Sequence, residues 1–336
     1  MRLSPGYAGV RDACWSSLAC AVVAHDRKFR FGVMALSADS AKQYREIARK
    51  AEDLGFSTLY VPDHFVDHPF GPFPAMAFAA EATTTLRVGS LVLGNDYRHP
   101  VVVARDAATL DVLSDGRLEL GLGAGWMTVD YEKAGIPLDP PGVRVDRLAE
   151  AITVVKGLMA EGEFSFSGEH YTITALDGMP KPVQQPHPPI VIGGGGKRVL
   201  SLAGREADII GINANLKTGK ADDPATAPSM NPSTTDEKLQ WVRDAAGARF
   251  DDIEIQAFAG FTLLTDDAVG VAKAMAPAFD CSPDEVLDSP VGLVGTAEEM
   301  IETIERRRAR WQMTYHVVDA KVMDEFAPVV ARLNGS

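Results

Sequence analysis

Two stretches of the chain hold residues whose types and spacing could do chemistry. In PIVIGGGGKRVLSLAGREADIIGIN, residues 189–213, an apolar run ends in Gly193, Gly194, Gly195 and Gly196, and Lys197 and Arg198 lead into a helical pattern. Ile190, Val191 and Ile192 are β-branched, in a run too short for a helix, which predicts a buried parallel strand. The glycines permit positive φ and close approach of a ligand, and the following helix opens with free amides, so an anion, best a phosphate, is expected there. The alternative is a flexible turn that binds nothing. Two familiar phosphate motifs fail: G-x-G-x-x-G needs glycine where Arg198 stands, and the P-loop needs glycine where Val191 stands.

The second stretch is TLYVPDHF, residues 58–65, which places Asp63 and His64 at the end of a predicted strand. A histidine there can orient a substrate or exchange a proton near neutral pH, although a structural hydrogen-bonding role is the competing reading. Ser90, Asn95 and Asp96 lie on or after a third predicted strand, and Trp126 and Tyr131 follow a fourth. Trp126 beside Gly125 could wall a planar ligand or simply fill core. Asp63, His64, Asp67 and His68 form a D-H-x-x-D-H string, but a strand sends neighbours to opposite faces and no His-x-His follows the first strand, so no metal site is expected. No G-x-S-x-G nucleophile elbow is present.

Those residues need a scaffold, and the order of elements supplies one. Residues 29–35 read as the first strand. A helix starts at Ser40, which forms a capping box with Gln43 and precedes the stripe Tyr44, Ile47, Ala48, Ala51 and Leu54; Gly55 ends it. Further strands are predicted over 58–65, 86–96, 117–125, twice within 189–213, over 252–264 and over 315–318, with helices over 74–84, 100–113, 144–160 and 322–333. Thr296 and Glu299 make a second capping box. Residues 163–187 read as a small β excursion with a proline-rich linker, 217–235 as a mobile loop and lid candidate, and 266–294 as an insertion. Eight strands alternating with helices predict an α/β protein, a (β/α)8 TIM barrel in one domain over 29–333, with a doubly wound sheet as the alternative. Barrel active sites lie at the carboxyl ends of the strands, where the polar residues above fall.

Composition narrows the partners. The chain has 336 residues, 46% hydrophobic and 24% charged, with a formal net charge of -13, which argues against nucleic acid and anionic membranes as partners. Three cysteines, Cys14, Cys20 and Cys281, offer no disulfide framework, and a cytoplasmic location is the default. Residues 1–28 contain the apolar ACWSSLACAVVA (13–24), but its flanks are weak and no clean cleavage site follows, so a dispensable, disordered extension is expected rather than a secretory signal.

YVPDHF (60–65), LRVGSLVLGNDYRHP (86–100), DGRLELGLGAGW (115–126) and PPIVIGGGGKRVLSLAGREADIIGI (188–212) together resemble the luciferase-like monooxygenase superfamily, most closely its branch of oxidoreductases that use coenzyme F-420, a deazaflavin. The resemblance spans about residues 29–333 and implies a (β/α)8 barrel, a cofactor across the barrel mouth, and a homodimer. It implies that Gly193 to Gly196 with Lys197 hold the cofactor phosphate, that Asp63 contacts the cofactor ring, and that His64 is the active-site histidine beside it. Gly89, Ser90 and Leu91 fall where relatives have a bulge with a non-proline cis peptide supporting the ring, so Ser90, Leu91 and Asn95 are implied cofactor neighbours. Relatives that oxidise sugar phosphates carry a glutamate after the strand-four glycines; Trp126 stands there in this chain, which implies a more apolar substrate pocket walled by Trp126 and Tyr131. The expected activity is hydride transfer to or from a small organic substrate, because a deazaflavin moves electrons as hydride. The alternatives are an FMN-dependent monooxygenase with a partner flavin reductase, a metal-dependent barrel hydrolase, and a noncatalytic cofactor carrier.

Overall fold

The structure, a computed structural model, describes residues 27–336 except 67, 69, 221 and 222. The extension over residues 1–28 lies, but for its last two residues, outside them, as do Cys14, Cys20 and Asp67.

Eight parallel strands among the described residues form the predicted barrel. They are β1 (Arg30–Met34), β2 (Thr58–Val61), β3 (Arg87–Ser90, resumed at Leu93–Gly94), β4 (Leu118–Gly123), β5 (Ile190–Gly194), β6 (Ile209–Ile212), β7 (Glu254–Phe258) and β8 (Met313–Asp319). Each pairs with its sequence neighbours, β1 with β8 closes the ring, and Val88 opposite Leu118 joins β3 to β4. Around it lie α1 (Ala41–Asp53), α2 (Pro72–Ala82), α3 (Pro100–Leu113), α4 (Pro141–Met159), α5 (Lys197–Glu206), α6 (Pro232–Ala246), α7 (Ala297–Trp311) and α8 (Met323–Leu333). The Ser40 cap of α1 and the Thr296–Glu299 capping box of α7 are both present. Gln43, however, accepts from the Asp39 amide rather than from Ser40.

Outside the barrel mouth, two predicted segments differ from the structure. The run 252–264 is not one strand: β7 is buried in the barrel wall, whereas Phe261–Leu264 leaves the barrel and pairs in parallel with Gly292–Gly295. A continuous apolar run conceals that exit, since both halves have strand composition. Residues 217–235 contain a 3₁₀ stretch, Pro224–Met230, and α6 then begins at Pro232 with the Asn231 side chain accepting from the Thr234 amide. Asparagine followed by proline is a helix start as much as a loop signal.

The barrel interior alternates large and absent side chains. Tyr60, Tyr315 and Gln256 project inward, and a Cβ on Gly89 would lie 2.6 Å from the Tyr60 ring, one on Gly32 3.3 Å from both tyrosines. Beneath them, at the amino ends of the strands, Glu119 is fully buried between Arg30 and Arg87. The outward residues of the same strands, Leu118, Leu120 and Leu122 among them, form the apolar layer under the helices. Among the described residues no helix is long and apolar enough to cross a membrane.

His316 lies in that outer layer, fully buried and stacked 6.2 Å from Phe31. Burial, and then the charge of Arg307, lower its pKa from the usual 6.5 to about 3. The folded form therefore holds it neutral, while the unfolded chain takes up a proton as the pH falls below 6.5. Its penalty is absent above that pH, grows by about 1.4 kcal/mol per pH unit on acidification, and levels off near the folded pKa. Urea unfolding of wild type and His316→Leu from pH 7 to 4 should show the variant losing stability less steeply; parallel curves would remove His316 as a source.

Candidate active site

The barrel mouth is shaped by the interruption of β3. Its cis peptide joins Leu91 to Val92, at the carboxyl end of the 89–91 stretch where the resemblance places a bulge. Glycines on β4 leave room for this segment: a Cβ on Gly121 would lie 1.9 Å from the Ser90 carbonyl, and one on Gly123 2.5 Å from Val92 Cγ2. The Ser90 hydroxyl donates to the Gly121 carbonyl at 2.9 Å and accepts from the Gly121 amide at 3.1 Å. Ser90 thus fixes the bulge and has its hydroxyl committed to β4; Leu91, partly exposed, is the side chain of the bulge.

Asp63 is buried and takes part in a latch. Its Oδ2 accepts from the Gly94 amide at 2.9 Å and from Arg98 Nη1 at 2.5 Å, and its Oδ1 accepts from Arg98 Nη2 at 3.0 Å. A carboxylate so engaged joins the loop after β2 to the resumed β3 and has little capacity left for another donor. Asn95 donates to the Tyr171 hydroxyl at 3.3 Å, toward the hairpin of Glu163–Ser167 and Thr172–Asp177. Tyr131 is buried, with its hydroxyl donating to Asp96 Oδ2 at 3.0 Å, while Arg147 holds the other oxygen of Asp96 at 2.8 Å. A Cβ on Gly125, whose φ is +73°, would strike that hydroxyl, so glycine there is required by Tyr131. Tyr131 thus stands behind the mouth, and Trp126 on its surface.

His64 is the most functionally suggestive group. Its Nδ1 lies 2.6 Å from Asp130 Oδ2, and its ring meets Trp126 edge to face, centroids 5.4 Å apart. Asp130, fully buried, also accepts from the Phe65 and Val66 amides, both at 3.0 Å through Oδ1. A carboxylate can only accept, so the histidine proton sits on Nδ1 and Nε2 is the basic nitrogen. Asp130 lies on a helical turn, Thr128–Ala134, within the stretch the sequence presents as irregular; Gly135 in the left-handed region ends it, a stop signal legible beforehand. Sequence reasoning did not single out Asp130 or Arg98.

The glycine loop requires a correction. None of Gly193, Gly194, Gly195 and Gly196 has positive φ. Gly194 is required because a Cβ would lie 2.4 Å from Val199, and Gly195 because one would lie 2.1 Å from the Ala214 carbonyl. Packing thus accounts for glycine at Gly194 and Gly195. Gly196 differs: a Cβ there would meet nothing within 4 Å, and it caps α5 with no side-chain hydrogen bond. The first amides of α5, from Lys197 on, have no intrahelical acceptor, which suits an anion. Among the described residues no group of three or more histidine, cysteine or acidic side chains could hold a metal ion. A cavity of about 300 Å³ adjoins Trp126, between the loops after β4 and β6.

Comparison with known proteins agrees with the barrel fold. The luciferase-like monooxygenase family model matches residues 23–223. The 5,10-methylenetetrahydromethanopterin reductase of Methanopyrus kandleri is 26% identical over 288 residues, 82% of this chain and 78% of the reductase. The structure of the coenzyme F-420-dependent tetrahydromethanopterin reductase from Methanopyrus kandleri superposes with a TM-score of 0.72 at 17% identity, covering 92% of this chain and 99% of that one. A long-chain alkane monooxygenase superposes with a TM-score of 0.69 at 14% identity, covering 91% and 92%. These two likenesses show the barrel fold alone. By the family match over most of its barrel, this chain belongs to the luciferase-like monooxygenase family and is an oxidoreductase.

Proposed function

We propose that the chain uses coenzyme F-420 to transfer hydride to or from a small organic substrate at the barrel mouth. The observation that carries this reading is the placement of His64, held by Asp130 beside Trp126, on the same face as the uncapped start of α5. The open space at Gly196 and the free amides after it fit the phosphate of such a cofactor. When bound, the deazaflavin supplies or accepts the hydride. His64 Nε2 takes or returns the proton that accompanies hydride at the substrate, and Trp126 excludes water on one side.

The phosphate site serves FMN equally well. Preference for the deazaflavin rests on the reductase relative, and a paired fluorescence titration of cofactor-free protein tests it. Deazaflavin binding at about micromolar Kd or tighter, with much weaker FMN binding, is the expected result. The reverse order would establish FMN and oxygen chemistry with a partner reductase. Binding of neither would overturn the phosphate assignment at Gly196.

A further inference from the structure

We propose that Lys238 is a positioning residue for the barrel mouth: its buried ammonium fixes residues 213–219 between the glycine loop and the loop of Trp126, and so sets the start of α5 for the cofactor phosphate. For the phosphate it rests on the proposed role of that helix start. Lys238 stands in the buried stripe of α6 with Thr235, Leu239 and Val242, where helical periodicity calls for an apolar side chain, and it is only 3% exposed. Burial lowers its pKa from 10.5 to about 8, which leaves it largely protonated near neutrality. A cation kept at that cost needs acceptors. Its Nζ donates to the Asn213 carbonyl at 2.7 Å and to the Ser229 carbonyl.

Those two carbonyls lie near opposite ends of the excursion between β6 and α6. Ser229 is the fixed end: it belongs to the 3₁₀ stretch before α6, and the Ser289 hydroxyl holds the next carbonyl, that of Met230, at 2.8 Å. The Asn215 amide adds a second tie, to Ser229 Oγ at 2.8 Å. Asn213 is the end that faces the site. It follows β6 directly, and its amide donates to the Gly194 carbonyl at 2.9 Å. A Cβ on Gly195 would lie 2.6 Å from the same Asn213 oxygen that Lys238 holds, and 2.1 Å from that of Ala214. Gly195 leads through Gly196 into α5, so the Asn213 carbonyl and the first amides of that helix are packed as one unit. Further along, Gly219 accepts from the Thr128 amide at 3.3 Å, and a Cβ on it would lie 2.0 Å from Thr128 Oγ1 and 3.4 Å from the Trp126 carbonyl. One side chain from the outer ring of helices thus sets the spacing of two walls of the mouth.

Wild type, Lys238→Met and Lys238→Arg provide the test. Trypsin cleavage of the cofactor-free proteins after Lys217, exposed within the segment, is read by mass spectrometry against cleavage after Lys42, exposed on α1, which reports global opening. Lys238→Met should raise the ratio of the two about tenfold. In fluorescence titrations it should bind coenzyme F-420 about tenfold more weakly and the deazaflavin riboside, which lacks the phosphate, equally well. Lys238→Arg, which keeps the charge and the donors, should restore part of both losses. An unchanged cleavage ratio overturns the proposal; so does a raised ratio with undiminished coenzyme affinity, or with an equal loss for the riboside. If Lys238→Met fails to fold, Lys238→Gln, whose shorter amide cannot reach both carbonyls, takes its place with the same expectations. Binding of FMN alone by wild type puts FMN and riboflavin in place of the coenzyme and its riboside. A wild type that binds neither coenzyme nor FMN refutes the phosphate reading instead, and the cleavage ratio alone then decides whether Lys238 positions the segment.

Discussion

Replacing His64 with alanine is expected to lower kcat by about tenfold or more while leaving deazaflavin affinity nearly unchanged. The expectation follows from how the ring is held. Nδ1 is committed to Asp130 at 2.6 Å, so His64 presents only Nε2 to a reacting molecule, and that nitrogen is basic. Asp130 acts through His64 and is a positioning residue. In Asp130→Asn the amide oxygen can still accept from the Phe65 and Val66 amides, but its NH2 then faces Nδ1, which must accept. The proton moves to Nε2, and the histidine loses its base. Asp130→Asn should therefore lower kcat by about tenfold or more without loss of fold, and shift the pH dependence of turnover. Nitrogen-15 NMR of the histidine ring reads the tautomer directly, a signal that a purely structural role would not move. An equal loss of turnover and cofactor affinity in His64→Ala would make His64 a cofactor ligand; an unchanged tautomer in Asp130→Asn would remove Asp130 from this role.

The frame of the barrel is legible in the sequence because buried parallel strands read as short apolar runs and helix caps have local signatures. Ser40, Thr296 and the strands around 31, 191 and 210 need no information beyond their own neighbours. The site is less legible because its partners are distant: Asp63 meets Arg98 from 35 residues away, and His64 meets Asp130 from 66. Glycines were the most ambiguous signal. At Gly194 and Gly195 the reason for glycine lies in Val199 and Ala214, whereas a Cβ on Gly193 would make only ordinary contacts and one on Gly196 none within 4 Å. The alternation in LELGLG is visible, but the sequence does not say that Leu118, Leu120 and Leu122 face the helices while Glu119, Gly121 and Gly123 face the barrel interior.

That interior carries the largest stability effect. Glu119→Ala should destabilise the fold by about 3–5 kcal/mol and lower Tm by on the order of 10 °C. The Glu119 carboxylate receives Arg30 at 2.5 Å, Arg87 at 3.0 Å and Tyr315 at 3.2 Å, together with the Tyr60 hydroxyl. Alanine would leave those donors around a void, with Glu254 as the other carboxylate on Arg30. Burial opposes the charge on Glu119, but Arg30, Arg87 and the Tyr60 hydroxyl outweigh it and hold its pKa below 4.5. A lowered folded pKa means that its stabilisation is complete above about pH 4.5 and is lost as the pH falls through the folded value. The difference between wild type and Glu119→Ala should thus be constant near neutrality and shrink in acid, as read by urea unfolding at pH 7 and below 4. Glu119→Gln, which keeps an acceptor and loses the charge, should fall between them. A loss below about 1 kcal/mol for alanine would mean that Arg30 and the tyrosines find other partners, leaving the packing of Tyr60 and Tyr315 against Gly32 and Gly89 to hold the barrel interior.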